Sequence, residues 1–123
     1  MIVDTNIIID VLNGGDEAKI FIESKLTEDL LLSVVTVSEV YASIRNAKEI
    51  EKFENLLSLF EIIAINKHIA IEAGKLKKRY GASHGIRLPD AFIAATAITF
   101  QVPVATLDKK HFSVLTKSLV VPY

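Results

Sequence analysis

The chain has 123 residues, half of them hydrophobic and 24% charged, which is the composition of a globular protein and excludes a disordered one; a single domain over 1–123 would bury roughly two-thirds of its unfolded surface. Fourteen basic residues against fifteen acidic give a net charge of −1, so no bulk positive field announces a nucleic-acid partner and any such contact must be local. The absence of cysteine excludes disulfides and thiolate metal sites and fits a reducing, cytoplasmic setting.

Ile2–Asp4 reads as a very short strand, and the carboxylate that ends it would interrupt any signal peptide. The apolar run Asn6–Leu12 reads as a helix, stopped by Asn13-Gly14-Gly15. Asp16 is placed to cap the next helix, with Ile20, Phe21 and Leu26 on its apolar face. Leu30–Val35 is a continuous apolar, β-branched run, the pattern of a strand buried on both faces. Thr36 then begins a helix, and Glu39 three residues later completes a capping box with it. Over Glu49–Phe60, Ile50, Phe53, Leu56, Leu57 and Phe60 recur at helical spacing, with Glu49, Glu51, Lys52 and Glu54 turned outward.

Glu61–Ile65 is a third strand, and Lys67–Tyr80 an amphipathic helix through Ile69, Ala73, Leu76 and Tyr80. A loop over 81–88 leads into Pro89-Asp90 and a helix over Ala91–Phe100 that is apolar almost all round, hence central. The weakly polar stretch Ala91–Ala105 is broken by Thr96, Thr99, Gln101 and Pro103, short of the roughly 20 apolar residues a membrane span requires. Val102–Ala105 is a fourth strand and Leu119–Val121 a fifth; His111-Phe112 closes a turn, with Phe112 in the core. Apolar strands alternating with helices predict a parallel α/β sheet covered on both faces, and in such sheets ligands bind outside the carboxyl ends of the strands.

Four acids fall at that edge. Asp4 ends strand one, Glu39 opens the helix after strand two, and Asp108 follows strand four. Asp90 joins them if its helix runs back from the same edge. Singly, each of three has an ordinary structural role: Glu39 in a capping box, Asp90 beside Pro89 in a first turn, Asp108 in a turn before two lysines. Asp4 is harder to dismiss, because a carboxylate ending a buried strand must be paired or ligated. Together the four would repel one another, and no lysine or arginine lies within two residues of Asp4, Glu39 or Asp90. A divalent cation resolves that repulsion. Oxygen-only ligation favours Mg²⁺ or Mn²⁺, which commonly also bind a phosphate.

The segments Ile-Val-Asp4-Thr5-Asn6, Glu39 after Thr-Val-Ser, Pro89-Asp90-Ala-Phe-Ile-Ala-Ala-Thr and Thr106-Leu-Asp108-Lys-Lys-His-Phe112 resemble, in order and spacing, the PIN-domain nucleases, and among them the VapC-type toxins of toxin–antitoxin pairs. The resemblance implies a PIN-like three-layer fold with a four- to five-stranded parallel sheet between helices. It implies a Mg²⁺- or Mn²⁺-dependent endoribonuclease, a homodimer, and an antitoxin partner whose C-terminal segment covers the acidic site. Asp4, Glu39, Asp90 and Asp108 become the acidic quartet that holds the metal, although many relatives carry asparagine at the position of Asp108. Thr5 and Asn6 become supports near Asp4, and Thr106 a hydroxyl oriented toward the site. Hydrolysis by a metal-activated water would leave a 5′-phosphate and a 3′-hydroxyl.

RNA contact must then be local. Arg87 and Lys109 flank proposed ligands, and Lys75, Lys78 and Arg79 form a basic helix end, a place where the helix dipole also favours cations. His68, His84 and His111 share no metal-ligand spacing and are read as non-ligands. Among rivals, a haloacid-dehalogenase-type phosphohydrolase requires an aspartate where Asn6 stands, and a receiver-like domain requires an acid where the third strand ends Ala-Ile-Asn66-Lys67. A catalytically idle PIN-fold binding module, or a PIN nuclease of RNA processing outside a toxin pair, are the alternatives that keep the resemblance.

Overall fold

In the computed structural model, which describes residues 1–123, adjacent residues of very short strands divide the interior into two cores. The elements are β1 (Ile2–Val3), α1 (Thr5–Leu12), α2 (Asp16–Ser24), β2 (Leu31–Ser33), α3 (Val34–Ser43), α4 (Ala47–Leu57), β3 (Glu61–Ile63), α5 (Lys67–His84), α6 (Leu88–Phe100), β4 (Val104–Ala105), α7 (Lys109–Phe112) and β5 (Leu119–Val120). All strand pairs are parallel, in the order β3-β2-β1-β4-β5, with Ile2 opposite both Leu31 and Val104 and Val3 opposite Ala105. Successive strand side chains point to opposite faces. Ile2, Leu31, Ile63 and Val104 therefore join Ile69, Ala73, Ile93 and Phe112 in one core under α5–α7. Val3, Leu32 and Ala105 join Ile7, Ile8, Val40 and Phe53 in the other, under α1–α4. Each fully buried aliphatic or aromatic side chain contributes about 1.5–3 kcal/mol, so the short strands are held by their faces more than by their few ladder bonds.

The architecture is the α/β one expected, with five parallel strands, and several boundaries move for local reasons. Strand β2 stops at Ser33 and not at Val35: Val34 is 40% exposed, which no strand buried on both faces would allow. The Ser33 hydroxyl accepts from the Val35 amide at 3.1 Å and starts α3 there, so Thr36 lies inside the helix and no Thr36–Glu39 capping box forms. Gly15, not Asp16, is the cap of α2. Its amide donates to the Asp10 carbonyl at 2.8 Å, an approach so close that a Cβ would stand 2.9 Å from that oxygen. Helix α5 runs past Tyr80 to His84 and ends on Gly85 in the left-handed region at φ 66°; α6 opens at Leu88 with Pro89 in its first turn.

Strand β3 is an edge, and leaves Glu61 and Ile62 exposed. Helix α6 is buried through Asp90–Ala97 except at Phe92, which is half-buried, but its last turn emerges, with Ile98 and Phe100 about half exposed. The turn expected after β4 is the one-turn helix α7, and Phe112 is fully buried. No helix is long and apolar enough to cross a membrane. The cap assignment has a direct test: Ser33→Ala should lower stability by about 1 kcal/mol in urea unfolding, because the Val35 amide loses its acceptor, whereas a cap at Thr36 would make that substitution nearly neutral.

Candidate active site

Strand β1 delivers the residue that follows it, Asp4, to the carboxyl edge of the sheet, where the chain turns into α1. The Asp4 amide completes the sheet, donating to the Ala105 carbonyl at 2.9 Å, while its carboxylate caps nothing and is only 3% exposed. Thr106, the residue after β4, donates its hydroxyl to Asp4 Oδ2 at 2.8 Å. That direction is fixed. The same Thr106 oxygen accepts from the Asp108 amide at 2.9 Å, so its single proton is free for the carboxylate. Burial is the main influence on Asp4 and pushes its carboxyl up to about 6; the Thr106 hydroxyl and the Thr5 amide act against this, and the negative charges of Asp90 and Glu39 add to it.

Glu39 projects from α3 toward the same place. Thr5, first residue of α1, donates its hydroxyl to Glu39 Oε1 at 2.8 Å and lies 2.9 Å from the Thr36 hydroxyl, which must then be the donor to Thr5. Asp90 enters from the first turn of α6 and is 7% exposed. Arg87, the residue that precedes α6, places one guanidinium nitrogen 3.6 Å from Glu39 Oε2 and 3.5 Å from Asp90 Oδ1. Asp4, Glu39 and Asp90 thus form one acidic group beside the β1–β4 junction, where the strand order reverses. This is the crevice in which open parallel sheets bind ligands.

The fourth acid is differently employed. Asp108 caps α7, accepting from the His111 amide at 3.2 Å and facing His111 Nδ1 at 2.6 Å, and it reaches Asp4 only through Thr106. Asn6 is exposed and makes no hydrogen bond to Asp4. Of the basic residues singled out, only Arg87 meets the acids. Lys75 pairs with Glu72 at 3.4 Å, Arg79 lies over the Tyr80 ring, and Lys78 and Lys109 are exposed. Thr36 and His111 join the hydroxyl and acid network without having been singled out for it. The signal for Thr36 was its i,i+3 spacing from Glu39, which a capping box also explains.

As placed, no three His, Asp or Glu side chains stand close enough together to hold a metal ion. The donor chemistry nonetheless suits a hard cation. All three acids offer oxygen, and the most buried has one oxygen hydrogen-bonded and no cation beside it. Because the Asp4 carboxyl is raised in the folded state, its stabilising effect is complete below pH 3.8 and lost as pH rises through about 6. In EDTA, Asp4→Asn should therefore unfold at higher temperature than the wild type at pH 8, by about 2–3 kcal/mol in stability, with the difference vanishing near pH 4; a pH-independent difference would show that the Asp4 charge is not the cause.

The chain matches the family model of the PIN domain over residues 1–117. It is 34% identical over 114 residues to Ribonuclease VapC10 of Mycobacterium tuberculosis, covering 91% of this chain and 85% of that protein. A toxin–antitoxin complex from Klebsiella pneumoniae superposes with a TM-score of 0.81 at 30% identity, covering 99% and 97% of the two chains. FitAcB from Neisseria gonorrhoeae does so with a TM-score of 0.79 at 27% identity, over 98% and 96%. With the acids of β1, α3 and α6 gathered at one sheet edge, and with matches that run nearly the length of the chain, this protein belongs to the PIN-domain family.

Proposed function

We propose that the chain is an endoribonuclease dependent on Mg²⁺ or Mn²⁺ and the toxin of a toxin–antitoxin pair, acting as a cytoplasmic homodimer that a cognate antitoxin restrains. The observation that carries this reading is the buried Asp4 carboxylate grouped with Glu39 and Asp90 at the strand-order reversal. The ribonuclease name of VapC10 and the toxin–antitoxin assemblies among the structural neighbours support the substrate and the partner.

Asp4 and Asp90 would hold the cation directly, with Glu39 bound directly or through water. Asp108, whose carboxylate is engaged with His111, would act mainly through Thr106. When bound, the cation supplies an activated water and offsets charge on the phosphate under attack. The chain's own groups prepare the rest. Thr106 holds Asp4 Oδ2, and Thr5 holds Glu39 Oε1 while Arg87 stands 3.6 Å from its Oε2. These donors are set before substrate arrives, which lowers the reorganisation needed during reaction. Water would attack the phosphorus in line with the P–O3′ bond, which breaks with O3′ leaving as the hydroxyl; the ribose 2′-hydroxyl is uninvolved, and the products are a 5′-phosphate and a 3′-hydroxyl.

Incubation of the purified protein with a mixed RNA pool should give 5′-phosphorylated fragments in Mg²⁺ and none in EDTA, and Asp4→Asn should lose about a hundredfold or more of the rate while keeping the wild-type circular dichroism. Undiminished cleavage by Asp4→Asn would reject the site. Binding of RNA without cutting would identify a non-catalytic module instead.

A further inference from the structure

Two of the three acids, Glu39 and Asp90, share a single cation of the chain's own, and it is poorly bound. Ile86, fully buried, fixes the backbone beside Arg87, and the Ile86 carbonyl is held by Lys77 Nζ at 2.6 Å. From that anchored position the Arg87 side chain crosses to Glu39 and Asp90, and one Nη2 lies nearly equidistant from both carboxylates, at 3.6 and 3.5 Å. A charge-assisted hydrogen bond would be about 2.7–2.9 Å, so the guanidinium occupies the gap without forming a tight fork on either acid. Its side chain is 65% exposed, against 22% for Glu39 and 11% for Asp90. Asp4, behind them, has no cation within reach of its carboxylate.

We propose that Arg87 is an exchangeable counter-cation of this site: it separates Glu39 from Asp90 in the ion-free protein, yields that position to the divalent cation, and then faces the substrate phosphate. The inference rests on the metal-dependent reading above. The geometry leaves the incoming ion and the guanidinium in competition, because both serve the same two carboxylates. The charges also balance. Three carboxylates, one guanidinium and one divalent ion sum to zero, so the arginine stays near the loaded site as a charge but is no longer needed between Glu39 and Asp90, and from the rim it can turn to an approaching anionic backbone. Arg87 therefore opposes metal binding and favours RNA binding, two effects that a purely structural arginine would not separate.

The test is manganese titration of RNA-free protein by electron paramagnetic resonance, on wild type and Arg87→Gln. Arg87→Gln should bind Mn²⁺ about two- to fivefold tighter, as expected for release of a partly exposed ion pair. In saturating Mn²⁺, with a mixed-sequence oligoribonucleotide whose 3′-methylene phosphonate linkages keep the charge but lack the scissile P–O3′ bond, Arg87→Gln should bind more weakly than wild type and with a salt slope reduced by about one. Unchanged or weaker manganese affinity in Arg87→Gln overturns the exchange, and so does tighter manganese binding with unaltered RNA affinity and salt slope. If the wild type binds no manganese, the metal-dependent reading itself fails, an outcome distinct from a wild type that binds and a variant that binds no better.

Discussion

The bond from the Thr106 hydroxyl to the buried carboxylate of Asp4 is the contact on which the acidic edge depends. A charge with 3% exposure costs several kcal/mol unless it is met by oriented donors. The fold supplies one by setting β1 beside β4 with Val3 opposite Ala105, which makes the next residue of each strand a neighbour of the other. A slip of one residue in that register would exchange the two cores and remove the donor together. Strand pairing and site geometry are thus the same constraint.

Around it the acids are held by hydroxyls more than by cations. Thr36 donates to Thr5 and Thr5 to Glu39; the Asp108 amide donates to Thr106 and Thr106 to Asp4. Each chain has one consistent direction, and no buried side-chain polar atom is left without a partner. Neutral donors orient a carboxylate while leaving its charge for something else. The one cation present, Arg87, lies on the solvent side of the group.

Much of this was readable from the residues, and the reasons for the exceptions are specific. Asp4 and Glu39 could be placed because one follows a strand and the other lies in the helix leaving one, and parallel α/β architecture sends both to one edge, whereas Asp90 could not, because α6 follows another helix and its direction is set only by packing. The Ser33 start of α3 was obscured because Val34 and Val35 continue the β-branched run of the strand, and only burial distinguishes them. The pairing of Asp108 with His111 and the reach of Arg87 to Glu39 depend on side-chain direction, on which residue type and spacing are silent. The helix end of Lys75–Arg79 looked like a phosphate patch, yet Lys75 and Arg79 make contacts within their own helix surface. Charge runs carry little information without a facing partner.

The separation of 102 residues between Asp4 and Thr106 has a consequence for the birth of the molecule. Contacts between distant parts of a chain form late, since the intervening loop must first be closed. During synthesis the segments carrying Asp4 and Glu39 emerge before α4, β3, α5 and α6, and β4 only after all of these. Until then β1 has no neighbour on that side and Asp4 lacks its hydroxyl. Asp4 therefore gains its hydroxyl donor only once the chain has been made as far as Thr106 and β1 and β4 have paired.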